Sequence, residues 1–355
     1  MAAALEQMFN AFFLSALLIL WLRGAAPALG LVDRPDLRKQ HDGIVPLCGG
    51  IGIFFGAGLP ALMLPEPLRI HGHVLLGLGL LLLVGAADDR WCLPPWPRLL
   101  SQTLAAAILI WPLTAGRVEL GFPPPSAVEM LMPPILLVFA VGTMNSFNMM
   151  DGIDGLAGTA GLAALLWLTL IASHFDRADL VAQSLVLLSA LLAFIAFNLR
   201  HPWRSRASVF LGDAGSVTLG GAIAWLVIAL ATGPEYAALP GLLWVVALPS
   251  AETLSLIVRR IRRGRSPLLP DREHLHHLLI DNGVSPAGAT GLIALASALC
   301  GGIGWIAIVS GAPSPLVMAG LAVPIAAHAW VIRRLSRPRD VLAALPQGVT
   351  TPAAE

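Results

Sequence analysis

The sequence predicts an all-α, polytopic integral membrane protein of about eleven transmembrane helices, with its N-terminus outside and its C-terminus cytoplasmic. Three observations carry that expectation. The 355 residues are 57% hydrophobic and only 12% charged, with a mean hydropathy of +0.79, whereas a soluble domain carries roughly a quarter charged residues. The apolar residues come in uninterrupted runs of about the length a helix needs to cross a bilayer. The basic residues, finally, sort by side: all but Arg69, Arg117 and Arg177 fall on one set of alternating loops or on the C-terminal tail, and the positive-inside rule places that set in the cytoplasm.

In chain order the runs are 8–22, 46–64, 72–87, 99–115, 130–147, 153–172, 180–199, 214–232, 237–258, 285–309 and 314–332. The first has no Lys or Arg before its apolar core and Arg23 after it, which reads as a retained anchor rather than a signal peptide. An odd number of crossings is what keeps the basic loops on one face. The outer loops 65–71, 173–179, 233–236 and 310–313 are short connectors with Pro, Gly and scattered charges. The cytoplasmic loops, about 23–45, 88–98, 145–154, 199–213 and 259–284, hold the unusual residues. Residues 1–340 thus form one transmembrane domain, with 341–355 a flexible cytoplasmic tail. A net charge of +1 and a single tyrosine exclude a nucleic-acid partner. Cys48, Cys92 and Cys300 are odd in number and widely spaced, fitting neither a disulfide framework nor a zinc pattern, so they are expected to be small buried thiols.

Asp88 and Asp89 directly follow the apolar run that ends at Ala87. Two adjacent like charges at a membrane interface repel unless a cation or proton intervenes, and acids at membrane depth are functional by default; the plainer reading is a stop signal ending the helix. In 145–158, Asn145, Asn148, Asp151 and Asp154 recur at steps of three, so neighbouring pairs share a helix face. Gly152 and Gly155 would weaken a continuous helix there, which suits a re-entrant or broken helix lining a polar cavity. Phe210-Leu-Gly-Asp213-Ala-Gly-Ser216 opens the eighth span. A helix N-terminus is a ready anion site, yet Asp213 would repel a phosphate directly; a divalent cation resolves the conflict, because Mg²⁺ is usually held by one or two protein oxygens plus substrate phosphates. An ordinary Asp cap is the alternative.

In Asp271-Arg-Glu-His274-Leu-His276-His277 the histidine spacing is wrong for a zinc helix, whereas clustered His and Arg suit phosphate oxygens. Topology explains the arginines but not the histidines. Lys39 is the one lysine in the chain, which marks either a place that needs a compact ammonium or a chance survivor.

Together these segments resemble the polyprenyl-phosphate N-acetylhexosamine-1-phosphate transferase family. The likeness runs from about residue 30 to 285 in chain order: Gly30-Leu-Val-Asp-Arg-Pro with Arg38-Lys-Gln-His41 and Val45-Pro-Leu-Cys-Gly-Gly50; Asp88-Asp-Arg90; Asn145 to Gly155; Phe210 to Ser216; and Ser266-Pro with Asp271 to His277. The His-Leu-His-His form is similar to the bacterial branch that uses N-acetylglucosamine. The resemblance implies that UDP-GlcNAc and undecaprenyl phosphate give undecaprenyl-diphosphate-GlcNAc and UMP, with Mg²⁺ (or Mn²⁺), as the first lipid-linked step of a cell-envelope polysaccharide such as an O-antigen, at the inner face of the bacterial cytoplasmic membrane. Another UDP-N-acetylhexosamine is the alternative donor.

By position, the resemblance implies metal ligation by Asn148 and Asp213. It implies catalytic roles for Asp88, as base or nucleophile on the lipid phosphate, for its partner Asp89, and for Asp151 and Asp154. Substrate binding falls to Lys39, His41, Asn145, Asn198, His274, His276 and His277. The expected partners are the two substrates and the lipid bilayer, with a second copy of the chain as a further candidate. Relatives often carry a third acid where this chain has Cys92, and an Asp near the end of the ninth span where it has Glu252. The rival from another class is a secondary transporter, which would place ionisable groups near the bilayer midplane; here Glu252 and His328 both lie toward the cytoplasmic ends of their spans.

Overall fold

The computed structural model describes residues 2–34, 43–114, 116, 118, 120, 126–232, 238–266 and 273–336. All eleven apolar runs fold as helix. The order is α1 (Ala2–Leu29), a two-residue ladder of β1 (Val32–Asp33) antiparallel to β2 (Val45–Pro46), α2 (Gly49–Met63), α3 (Gly72–Trp91), α4 (Pro95–Ile110), α5 (Ser126–Met150), α6 (Leu156–His174), α7 (Ala178–Asn198) and α8 (Gly212–Ala231). Then α9 (Leu239–Leu243) runs through a 3₁₀ turn into α10 (Ala247–Arg262), followed by the short α11 (Leu275–Asp281), α12 (Pro286–Val309), α13 (Ser314–Gly320) and α14 (Ala322–Leu335).

Among the described residues nine helical stretches are long and apolar enough to cross a bilayer, with α9–α10 and α13–α14 each counted as one. The other two expected spans, α2 and α4, have 15 and 16 residues. At about 1.5 Å per residue they reach some 23–24 Å, short of a hydrocarbon core of about 30 Å. Prolines account for part of this, since Pro94, Pro95 and Pro97 crowd the start of α4.

The bundle is built around α8. Every residue of that helix except Asp213 is buried, and α2, α3, α5 and α6 pack around it. Lipid-immersed helices gain nothing by hiding apolar surface from each other, so close approach through small residues does the packing. A Cβ on Gly85 of α3 would lie 2.5 Å from Ala214 Cα, and one on Gly50 of α2 would lie 2.2 Å from Gly215 Cα. Both contacts fall in the first turn of α8, so close backbone packing holds the end of the helix that carries Asp213. The peripheral helices show apolar side chains outward, Phe9, Phe13, Leu17 and Trp21 on α1 and Leu292, Leu295, Leu299 and Ile306 on α12, as a lipid-facing surface requires.

Two expectations need amendment. Cys48 is buried but Cys92 is exposed, because it is the left-handed residue (φ 51°) that ends α3. The 145–158 segment is neither re-entrant nor broken within a span. α5 continues as regular helix to Met150 and passes through the turn 151–155 into α6, with Gly155 supplying the positive φ of +82° the turn needs. Lys39, His41, Asp271, Arg272 and the tail 341–355 lie outside the described residues.

Candidate active site

Asp88 and Asp89 occupy the last turn of α3. Successive helical residues point about 100° apart, so the pair divides between two neighbours. Asp88, 6% exposed, turns toward α4. Its Oδ1 accepts from the Leu93 N–H at 2.7 Å, and its Oδ2 lies 2.8 Å from Arg98 Nη1. Asp89 turns toward α8, where its two oxygens accept from the N–H groups of Asp213 (2.8 Å) and Ala214 (3.1 Å). A helix's first N–H groups have no partner within the helix; here the carboxylate of another helix satisfies two of them and faces the positive end of the dipole.

Asp213 stands beside this cap. Its Oδ1 accepts from Asn148 Nδ2 at 2.7 Å and its Oδ2 lies 3.6 Å from Arg98 Nη2. Asn148, two residues before the end of α5, also donates to Ser216 Oγ at 3.1 Å, and its Oδ1 is 3.5 Å from Arg98 Nη2. Four helices therefore bring Asp88, Arg98, Asn148 and Asp213 together, with one guanidinium between two carboxylates. A shallow cleft opens on this group, lined by Leu81, Val84 and Val217 together with Asp88, Arg98, Ser101, Gln102 and Asp213. A larger cleft between α2, α3, α7 and α8 has no titratable side chain in its lining, so it offers no acid or base.

The 151–155 turn lies alongside. Asp154 is buried and engaged through one carboxylate oxygen: its Oδ2 takes Arg200 Nε at 2.7 Å and the Ala207 N–H at 2.9 Å, while its carbonyl accepts from Thr290 Oγ1 at 3.0 Å. Asn198 accepts the Gly155 N–H at 2.8 Å and donates to the Val209 carbonyl at 2.9 Å. Both hold the turn against the 199–210 loop. Asn145 donates to Gln102 Oε1 at 2.7 Å, tying α5 to α4. Asp151 makes no such tie through its side chain. Burial first, then the carboxylates of Asp213, Asp89, Asp154 and Asp33, push its pKa up to about 8.

The histidines sit at the start of α11. His274 and His276 stack at 5.3 Å between ring centroids, and His276 and His277 are 4.3 Å apart. The His276 ring fills the space over Gly152, where a Cβ would meet Nε2 at 2.2 Å. The sequence-distant 151–155 and 274–277 segments therefore form one wall. Burial, followed by its two histidine neighbours, lowers the His276 pKa to about 3, so the ring is neutral near pH 7. Its Nε2 is buried and has no hydrogen-bond partner among the described residues.

The structure thus gathers Asp88, Asp89, Asn148, Asp151, Asp154, Asp213, His274, His276 and His277 on one end of the bundle. It gives Asn145, Asn198 and Asp154 neighbours within the protein, and it adds Arg98, which the sequence reading treated only as a topological charge. A sequence signal for it did exist: a basic residue ten positions after an interfacial acid pair.

A bundle of helices, nine of them among the described residues long and apolar enough to cross a bilayer, thus carries an acid cluster at one end, next to a histidine wall. The model of the glycosyl transferase family 4 matches residues 72–231, which contain Asp88 through Asp213. The chain is 34% identical over 337 residues to the undecaprenyl-phosphate alpha-N-acetylglucosaminyl 1-phosphate transferase of Pasteurella multocida, covering 92% of each chain. It is 34% identical over 312 residues to the enzyme of that name from Salmonella typhi (85% of this chain, 83% of the relative), and 31% identical over 355 residues to that of Haemophilus influenzae (93% and 96%). The chain belongs to glycosyl transferase family 4.

Proposed function

We propose that this protein transfers N-acetylglucosamine 1-phosphate from UDP-GlcNAc to undecaprenyl phosphate, at the cytoplasmic face of the bacterial inner membrane. The observation that carries the reading is the convergence of Asp88 and Asp213 on Arg98 at a cleft also lined by Leu81, Val84 and Val217. A lipid phosphate needs both: a hydrocarbon wall beside the bilayer and a cation at the end of it. The three relatives named above support the acceptor and the transferred N-acetylglucosamine 1-phosphate by name.

In the proposed reaction an oxygen of the lipid phosphate attacks the β-phosphorus of the nucleotide sugar. The bond from that phosphorus to the bridging oxygen breaks, and UMP leaves with the bond's electrons. Arg98 holds the lipid phosphate, and Asp88 accepts its proton or orients it, so that attack comes from the membrane side. His276, neutral and with an Nε2 that has no partner among the described residues, donates to a phosphate oxygen of the nucleotide and adds no charge; His274 and His277 stand on that side, and Lys39 and His41 keep the substrate-binding roles the resemblance gives them. Asp89, Asp154, Asn145 and Asn198 act through others, holding α8, the 151–155 turn and α5 in place.

Among the described residues no three His, Cys, Asp or Glu side chains form a metal cage. An ion held by one or two carboxylates plus substrate phosphates requires none, and an exposed carboxylate edge on Asp213 beside Asp88 suits it. Asp213 and Asn148 would hold Mg²⁺, which when bound offsets charge on the diphosphate.

The test is purified protein with undecaprenyl phosphate, Mg²⁺ and a panel of UDP-N-acetylhexosamines, measuring UMP and lipid product. UMP with UDP-GlcNAc is the expected result. Release only with another donor would move the assignment to that sugar, and no release with any donor would overturn it.

A further inference from the structure

The substrate histidines are held from behind by a pair of residues to which the reaction assigns nothing. Glu252, on α10, is 6% exposed, and its two oxygens work in opposite directions. Oε1 accepts the Leu275 N–H at 2.9 Å and lies 3.5 Å from His274 Nδ1. Oε2 lies 2.5 Å from His328 Nε2. Glu252 therefore satisfies the first N–H of α11, while His328 holds the other side of the carboxylate. A second tie runs parallel, as Arg259 Nη2 donates to the Glu273 carbonyl at 2.8 Å.

His328 stands out on its own helix. Of the residues of α14 only His328 and Ile332 are buried, while Val323, Ile325 and Trp330 face outward. An imidazole in a lipid-facing helix costs desolvation unless it is paired. Two apolar side chains would pin α14 to α10 at lower cost, so a mere packing role leaves the imidazole without a reason. The geometry of Glu252 supplies one: a carboxylate capping α11 keeps that direction only while its other oxygen is held.

We propose that His328 is a positioning residue for nucleotide binding. Through Glu252 it fixes the start of α11, and so places His274 and His276 against the 151–155 turn. This rests on the reading that those histidines bind the nucleotide diphosphate. The catalytic acids, on α3 and α8, do not depend on the tie.

The experiment compares wild type with His328→Ala, His328→Phe and His328→Gln in detergent, by hydrogen exchange and by steady-state transfer. Losing a hydrogen bond to a charged group corresponds to about a tenfold effect or more. Exchange of the 275–281 amides is expected to rise at least tenfold in the Ala and Phe variants. The KM for the UDP-sugar is expected to rise about tenfold in both, with kcat and the KM for lipid phosphate within about twofold of wild type. Gln, whose Nε2 can reach Glu252 as a donor, should restore most of both effects. Should His328→Ala fail to fold, His328→Phe keeps the volume and carries the test.

Unchanged α11 exchange would overturn the proposal, as would kcat and KM falling together without rescue by Gln. The exchange measurement needs no turnover. A wild type that releases no UMP would therefore refute the proposed reaction, and faster α11 exchange would still establish the tie.

Discussion

Asp88 and Asp89 are neighbours in sequence with different work, and replacing each by Asn separates them. Asp89 accepts from two successive N–H groups at the start of α8, at 2.8 and 3.1 Å. Asparagine can serve one of them and turns an NH₂ toward the other. The loss is one hydrogen bond to a charged acceptor, about 1.5–3 kcal/mol, plus the charge–dipole attraction at a helix N-terminus, about 0.3–1 kcal/mol. Partial exposure of Asp89 argues for the lower half, so Asp89→Asn is expected to cost about 2–3 kcal/mol. Asp88→Asn keeps an acceptor for the Leu93 N–H and leaves Arg98 beside Asp213 but loses the 2.8 Å bond to Arg98, so its cost is expected at the lower end for a bond to a charged group, about 1.5 kcal/mol. Transfer should order them the other way, with Asp88→Asn losing a factor of about 10²–10⁴ if Asp88 moves the proton. Thermal unfolding of detergent-solubilised protein, followed by tryptophan fluorescence with and without MgCl₂, reads the first quantity, and UMP release reads the second. An Asp89→Asn variant with wild-type unfolding and abolished transfer would refute the assignment of Asp89 to holding α8.

Two further outcomes follow from the site. Arg98→Ala removes the cation between Asp88 and Asp213 and is expected to lower transfer about a hundredfold, mainly through the KM for undecaprenyl phosphate, with Arg98→Lys retaining part because it keeps charge but not the two-pronged geometry; an unchanged lipid KM would count against Arg98 as the phosphate holder. Asp151 has a folded pKa raised to about 8 from the ordinary 3.8 of an aspartate, so between those values the folded state holds a proton that the unfolded state has released, and the associated stability is full below about pH 4 and lost as pH rises through about 8. In Mg²⁺-free buffer Asp151→Asn should flatten the fall in stability between pH 4 and 8, and a profile parallel to wild type would exclude Asp151 as its source.

Much of this site was readable from spacing because membrane-depth polar residues are costly and therefore few. Asn148 and Asp213 meet at 2.7 Å, as their separate placement at cytoplasmic helix ends implied. The division of labour was not readable. Whether a carboxylate at a helix end meets substrate or a backbone N–H depends on which helix lies opposite, and neither the cap made by Asp89 nor the two bonds made by Asp154 has a local signature. Arg98 was hidden for the opposite reason: a cytoplasmic arginine is already explained by topology, so its second use drew no notice. At α2 and α4 the regular helix is shorter than the apolar run in the sequence, with Pro65 following the end of α2 and Pro94, Pro95 and Pro97 at the start of α4. Glu252 kept the charge expected at its position, and its added reach finds a partner in His328.

The complete burial of α8 sets what the surrounding membrane can influence. A change in bilayer thickness or lateral pressure acts on the helices that face lipid, chiefly by altering their tilt, and α8 has no such face. Asp213, at its first turn, is mechanically screened from the composition of the host bilayer, and Asp89 is tied to it through two N–H groups. The histidine wall is not, because its anchor runs through His328 to a helix that lies against lipid. Membrane composition should therefore register in how well the nucleotide is held before it registers at Asp213.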